Sequence, residues 1–165
     1  MTKLVLPRLF AWEERAIIFF PSALTISNQV VIDGAGRSVT LTGDGNTRLF
    51  VVTASGSLTL KNVTVAYGSA RSVSSMFGTP ALAKGAGILN EGGSVEIDRC
   101  HFVGHYAASY SSDQPDRTEL TRGGAIFNCG TLVIRSSSFE RNYAVGAPQA
   151  AEGVTLRRRP IIAGS

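Results

Sequence analysis

The sequence says nearly the same thing twice. The stretch "GAGILNEGGSVEIDRCHFVGHYA" (85–107) is answered by "GGAIFNCGTLVIRSSSFERNYA" (123–144). With one gap, at Gly93, Ile88 aligns with Ile126, Asn90 with Asn128, Val95 with Leu132 and Ile97 with Ile134. Cys100 then falls on Ser137, Phe102 on Phe139, and Tyr106-Ala107 on Tyr143-Ala144. A third copy, "FVVTASGSLTLKNVTVAYGSA" (50–70), puts Val51 and Thr53 in the slots of Ile88 and Asn90, with Leu58, Leu60, Val63, Val65 and Ala70 after them. A looser fourth, "LTISNQVVIDGAGRSVTLTG" (24–43), keeps Val30, Ile32, Val39 and Leu41 in register. Inside each copy the apolar residues alternate in short bursts separated by Gly, Asn, Asp or Ser, the signature of strands and tight turns. One copy cannot enclose a core, but stacked copies bury a continuous apolar column. The expected fold is therefore all-β: a single-stranded parallel β-helix, or solenoid, of about four to five rungs. A β-sandwich would not make the same slot apolar in every copy.

The remaining chain is read around this repeat. At 165 residues it fits one domain. Residues 1–22 are expected to form an N-terminal cap or first strand, because Leu9, Trp12, Ala16, Ile17 and Phe20 recur at near-helical spacing while "RAIIFF" reads as a strand. Residues 23–156 form the β-helix, with "GVTL" (153–156) as the stub of a further rung, and 157–165 are a basic tail. Arg157, Arg158 and Arg159 hold most of the net charge of +4, and no aromatic platform accompanies them, so nucleic acid is not expected as a partner. No run approaches the roughly 20 apolar residues of a membrane span. Pro7, Arg8, Glu13, Glu14 and Arg15 break up any signal-peptide core.

"GGAI" (123–126) and "FERN" (139–142) resemble the paired GGAI and FxxN motifs of polymorphic outer-membrane-protein repeats, which build the passengers of bacterial autotransporters and related surface proteins. The stretch from Val30 to Gly68 resembles the leading rungs of right-handed, pectate-lyase-like β-helices of secreted bacterial proteins. The resemblance implies a right-handed helix and an extracellular or cell-surface protein of adhesin or passenger type, here as a short or truncated member. Its repeat residues would be Gly85, Ile88, Asn90, Phe102, Gly123, Gly124, Ala125, Ile126, Asn128, Phe139 and Asn142. The earlier copy departs from the motif, with "GAGI" for GGAI and "FVGH" for FxxN.

No residue set reads as catalytic, and no cofactor or metal is expected. Asp33 and Asp44 each precede Gly and read as turn formers. His101 takes an outward slot beside Thr64 and Ser138, and His105 replaces the corner residue Asn142. Cys100 and Cys129 sit at different positions around the rung, so they are expected to remain free thiols. Asn90 and Asn128 are expected to turn inward and bond to each other or to corner carbonyls. The outward column Thr59, Glu96, Val133 rules out the flat Thr face of an ice-binding surface.

Function is expected in two inserts, 71–84 and 108–122, which follow the same slot and should leave one corner a strand spacing apart. Met76, Phe77, Tyr106 and Tyr110 offer apolar contact there, and Asp113 and Asp116 offer hydrogen bonds to a surface glycan or host protein. The alternatives are a polysaccharide-active enzyme fragment and a purely structural scaffold. Two further expectations concern the stack. Asp33, Lys61, Asp98 and Arg135 form one outward column of alternating charge, and Phe139 completes a core column with Val65 and Phe102. Unpaired strand edges at the ends leave end-to-end association open.

Overall fold

A computed structural model describes residues 2–5, 15–35, 37–74, 82–111 and 121–146; of residues 2–5, 73–74 and 110–111 it describes the backbone alone. The described residues are strands and turns, with no helix among them. In chain order the strands are Thr2–Val5 (β1), Arg15–Phe19 (β2), Leu24–Ile26 (β3), Gln29–Asp33 (β4), Ser38–Thr42 (β5), Phe50–Val52 (β6), Ser57–Lys61 (β7), Val63–Ala66 (β8) and Ser69–Ser74 (β9). Ile88–Asn90 (β10), Ser94–Asp98 (β11), His101–Val103 (β12), Tyr106–Ser111 (β13), Ile126–Asn128 (β14), Thr131–Arg135 (β15), Ser138–Glu140 (β16) and Tyr143–Val145 (β17) follow.

The strands pair in parallel as four sheets. Sheet A is ordered β1-β4-β7-β11-β15, sheet B β2-β5-β8-β12-β16, sheet C β3-β6-β10-β14 and sheet D β9-β13-β17. From β3 onward the chain visits C, A and B in the same order on every circuit, and D joins after β8. Each strand lies beside its counterpart in the next copy, so the repeat is a spatial as well as a sequence period. The arrangement is compatible with a β-solenoid.

The register agrees with the alignment over most of its length. Ile88 lies beside Ile126, Val95 beside Leu132 and Phe102 beside Phe139. In the looser copy, Val30 and Ile32 lie beside Leu58 and Leu60, and Val39 and Leu41 beside Val63 and Val65. One segment is corrected. Phe50 and Val52, not Val51 and Thr53, share the columns of Ile88 and Asn90. The corner between sheets C and A shrinks from four residues (53–56) to three (91–93) to two (129–130), so a single gap cannot align all three copies. A slip of one residue turns every side chain to the other face, and Phe50 and Val52 are the buried pair.

The core is the stack of inward columns: Leu58, Leu60, Val65, Val95, Ile97 and Phe102 are all fully buried. Asn90 is buried with them, and its Nδ2 donates to Asn128 Oδ1 at 2.6 Å and to Gly93 O at 3.1 Å. The expected amide ladder therefore links these two copies, while Val52 fills the slot below. Burial fails in the last described circuit. Ile134 is 43% exposed and Phe139 40%, although Ile97 and Phe102 beneath them are inaccessible. Phe139 stacks on Phe102 at 4.9 Å but leaves its other face uncovered, so the expectation that it is a full core residue is corrected.

At the N-terminal end Arg15–Phe19 is a strand that pairs with β5. Residues 8–14 of the expected amphipathic cap, the stub 153–156 and the tail 157–165 lie outside the described residues.

Two columns of corner residues carry the turns between strands. Asn62, Arg99 and Ser136 all have φ near +50° between sheets A and B, and Tyr67, Gly104 and Arg141 have positive φ between B and D. The outward column Asp33, Lys61, Asp98, Arg135 exists as read. Arg135 and Asp98, however, form ion pairs off the column. Arg135 Nη1 reaches Glu96 Oε1 at 2.6 Å, two residues back on the neighbouring strand, and Asp98 Oδ2 meets Arg99 Nη2 at 3.0 Å. The Arg135–Glu96 pair is largely exposed and is worth only about 0–1 kcal/mol.

Both cysteines are free, Cys100 buried and Cys129 exposed. Burial pushes the Cys100 thiol above its ordinary range, and its Sγ lies 3.4 Å from Asp98 O. A thiolate reagent should therefore modify Cys129 in the native protein and Cys100 only after unfolding. Two thiols titrating at equal rates without denaturant would contradict this burial.

Candidate functional site

The corner from which the inserts leave is built by β9 and β13. These strands pair over six consecutive positions, from Ser69 beside Tyr106 to Ser74 beside Ser111. The chain returns at Lys84 and Arg122, which form an isolated parallel bridge. Both inserts thus leave and rejoin the stack one above the other. Met76, Phe77, Asp113 and Asp116 lie outside the described residues, and of Tyr110 only the backbone, opposite Val73, is described. Tyr106 is half-buried between Ser69 and Tyr143, at the base of the second insert.

Two polar clamps hold these bases. Arg48 donates from Nε to Gly85 O at 2.8 Å and from Nη2 to Lys84 O at 2.7 Å, a forked contact that fixes the return of the first insert. Burial lowers the Arg48 pKa, and the charge of Glu91 works against that shift. The second clamp is a hydroxyl pair. Ser109 Oγ, fully buried, accepts from Ala83 N–H at 2.9 Å and hydrogen-bonds to Thr121 Oγ1 at 3.1 Å. Thr121 Oγ1 in turn donates to Val145 O at 2.8 Å. Ser109 and Thr121 were not singled out by sequence reasoning, since a lone Ser or Thr beside an insert carries no pattern. Arg48 was missed for the same reason. Lys84 Nζ stands 4.8 Å above the Phe127 ring, a cation–π contact beside the same corner.

His105 lies one turn away and is a structural residue. Gly68 N–H donates to its Nδ1 at 3.0 Å, so Nε2 carries the proton and donates to Val65 O at 3.1 Å. The ring is fully buried, and burial pushes its pKa down to about 4. It occupies the column of Asn142, whose Oδ1 accepts from His105 N–H at 3.1 Å. The departures from the resembled motif are linked through this ring. A Cβ at Gly68 would stand 2.6 Å from His105 Nδ1, and one at Gly87 would stand 3.0 Å from His105 Cε1. The larger imidazole in "FVGH" is accommodated by the glycine that turns GGAI into GAGI.

On another corner, between sheets A and B, an open groove of about 360 Å³ is lined by Arg37, Ser38, Asn62, Thr64, Arg99 and His101 among others. Its polar groups largely bind one another. Asn62 Nδ2 donates to Asp33 Oδ1 at 2.8 Å, Arg99 Nε donates to Asn62 Oδ1 at 2.9 Å, and Arg99 also meets Asp98. His101 Nε2 stands 3.7 Å from Glu140 Oε2. No carboxylate lines the groove and Cys100 shows it only a buried thiol, so the described lining holds no acid–base pair or activated nucleophile. Asp33 accepts from Ala35 N–H at 2.9 Å and Asp44 sits at φ +51°, both in turn roles.

Comparison of the chain with known protein families, with curated proteins and with solved structures finds no match. Among the described residues no helix is long and apolar enough to cross a membrane.

Proposed function

We propose that the chain is a non-catalytic binding module, a single right-handed parallel β-helix that recognises its target through the inserts 71–84 and 108–122. The observation that carries this reading is the six-residue in-register pairing of β9 with β13, which runs straight into both inserts from a rigid stack. Loops held on such a scaffold are where recognition is usually placed. The clamps of Arg48, Ser109 and Thr121 fix the bases, which lowers the ordering cost of binding. The constant order of sheet visits favours one coil, and parallel strand crossovers are right-handed in about 98% of cases. Resemblance to surface-exposed passenger repeats favours an extracellular glycan or host protein as the target.

The test replaces 75–81 and 112–120 by short Gly-Ser links, leaving the paired bases intact. The stack should keep its strand signal in circular dichroism, and binding on glycan arrays or to host-cell surfaces should disappear. Binding that survives in the folded, shortened protein would move the site elsewhere. Release of unsaturated or reducing sugar from pectin-like polymers by the full chain would instead favour the enzyme reading.

A further inference from the structure

We infer that the groove between sheets A and B is a second ligand site, one that holds a sulfate or phosphate ester on a sugar. Its lining comes from three successive circuits: Arg37 and Ser38 at the start of β5, Asn62 and Thr64 at β8, and Arg99 and His101 at β12. Every one of these six side chains can donate a hydrogen bond, and the described lining holds no carboxylate. The acids of this corner stand behind or beside the lining. The Asp98 side chain, only 18% exposed, holds Arg99 Nη2 at 3.0 Å, and Asp33 accepts from Asn62 Nδ2 at 2.8 Å. Glu140 Oε2 lies 3.7 Å from His101 Nε2, beyond hydrogen-bond length. Asn62 Oδ1 accepts from Arg99 Nε at 2.9 Å, which occupies the acceptor of that amide. The same network fixes the Arg99 side chain while leaving it 59% exposed, with Nη1 bonded to no described residue.

These features select a class of ligand. A donor lining without carboxylates favours an anion over a cation or a neutral sugar, and guanidinium groups bind oxyanions through charge-assisted hydrogen bonds. Arg37 and Arg99 approach from circuits two strand spacings apart, about 10 Å at the backbone, with Asn62 and Thr64 between them. A sulfate or phosphate ester offers three terminal oxygens to donors arriving from different circuits, whereas a carboxylate offers two in one plane. The groove volume of about 360 Å³ lies at the low end of the roughly 300–1,000 Å³ of ligand pockets, which suits one sugar residue. Val39 and Val63 add apolar wall. The inserts leave from sheet D, so this site does not rest on their role in recognition.

The test is an NMR titration of the isotope-labelled chain with sulfated and with phosphorylated N-acetylglucosamine. One ester or both should shift the amides of Asn62, Thr64 and Arg99 saturably, the tighter one naming the ester, and unmodified N-acetylglucosamine should not. Arg99→Gln and, independently, Arg37→Gln should each weaken that binding by roughly tenfold or more in protein that keeps its strand signal. Arg71→Gln, which removes a cation from sheet D, should change it by less than about twofold. The chain with both inserts shortened should bind the ester as the full chain does, so failure of the insert reading leaves this result intact. Absence of saturable shifts with both esters would overturn the inference. So would equal binding of the unmodified sugar or of glucuronic acid, or unchanged affinity in both groove variants.

Discussion

Replacing Phe102 by Ala should cost about 3–5 kcal/mol of folding stability, among the largest losses expected from a single inward side chain. Phe102 is inaccessible to solvent, stacked under Phe139 at 4.9 Å and beside the His105 ring at 5.8 Å. Its removal leaves a cavity that strands fixed from both sides cannot close. The same change at Phe139, 40% exposed, should cost only about 1–2 kcal/mol, because much of its surface is already wet. Urea denaturation of the two variants checks the contrast: a lower midpoint at unchanged slope for each, with the Phe102 shift at least twice as large. Equal losses would mean that Phe139 is covered and that the last circuit is not open.

The second large effect is a loss of stability in mild acid that depends on His105. In the unfolded chain an imidazole titrates near pH 6.5, and in the fold His105 is held down to about 4 by burial. Above pH 6.5 both states are neutral and the contribution of the buried ring is complete. As pH falls from about 6.5 to about 4, the unfolded chain takes a proton that the folded one refuses. Stability then declines by up to about 1.4 kcal/mol per pH unit, about 3 kcal/mol in all, and this contribution levels off below pH 4. His105→Asn, which places there the residue found at Asn142 of the same column, should abolish this part of the pH dependence. Stability curves for both proteins between pH 4 and 7.5 provide the measurement. Parallel curves would show that His105 is solvated or protonated in the fold.

These two side chains also show where sequence reading reached and where it stopped. Phe102 was legible as a core residue because its slot is apolar in neighbouring copies and period two fixes the face. His105 was legible as a replacement for Asn142, but its link to Gly68 and Gly87 was not. Those residues lie 37 positions before and 18 before it (105 − 68 and 105 − 87), and only the winding of the chain brings their backbones against one ring. The slip at Phe50 and Val52 has a similar origin, since a corner of four residues in one copy and three in the next leaves no mark on composition or period. The charge column was placed correctly by register, but its pairing was not, because long exposed side chains choose partners by reach rather than by row. At the insert corner the alignment showed that both inserts follow the same slot, which the pairing of Ala70 with Ala107 repeats in space, and nothing in the sequence marked Arg48, Ser109 or Thr121. By itself the sequence determined the strand period, the parallel stacking of copies and most inward slots, because burial of a repeated apolar pattern is a local property repeated along the chain. The tertiary structure alone decided which column members are covered, which polar groups clamp the insert bases and which glycines are obligatory, because each depends on what the neighbouring circuit places within a few ångströms.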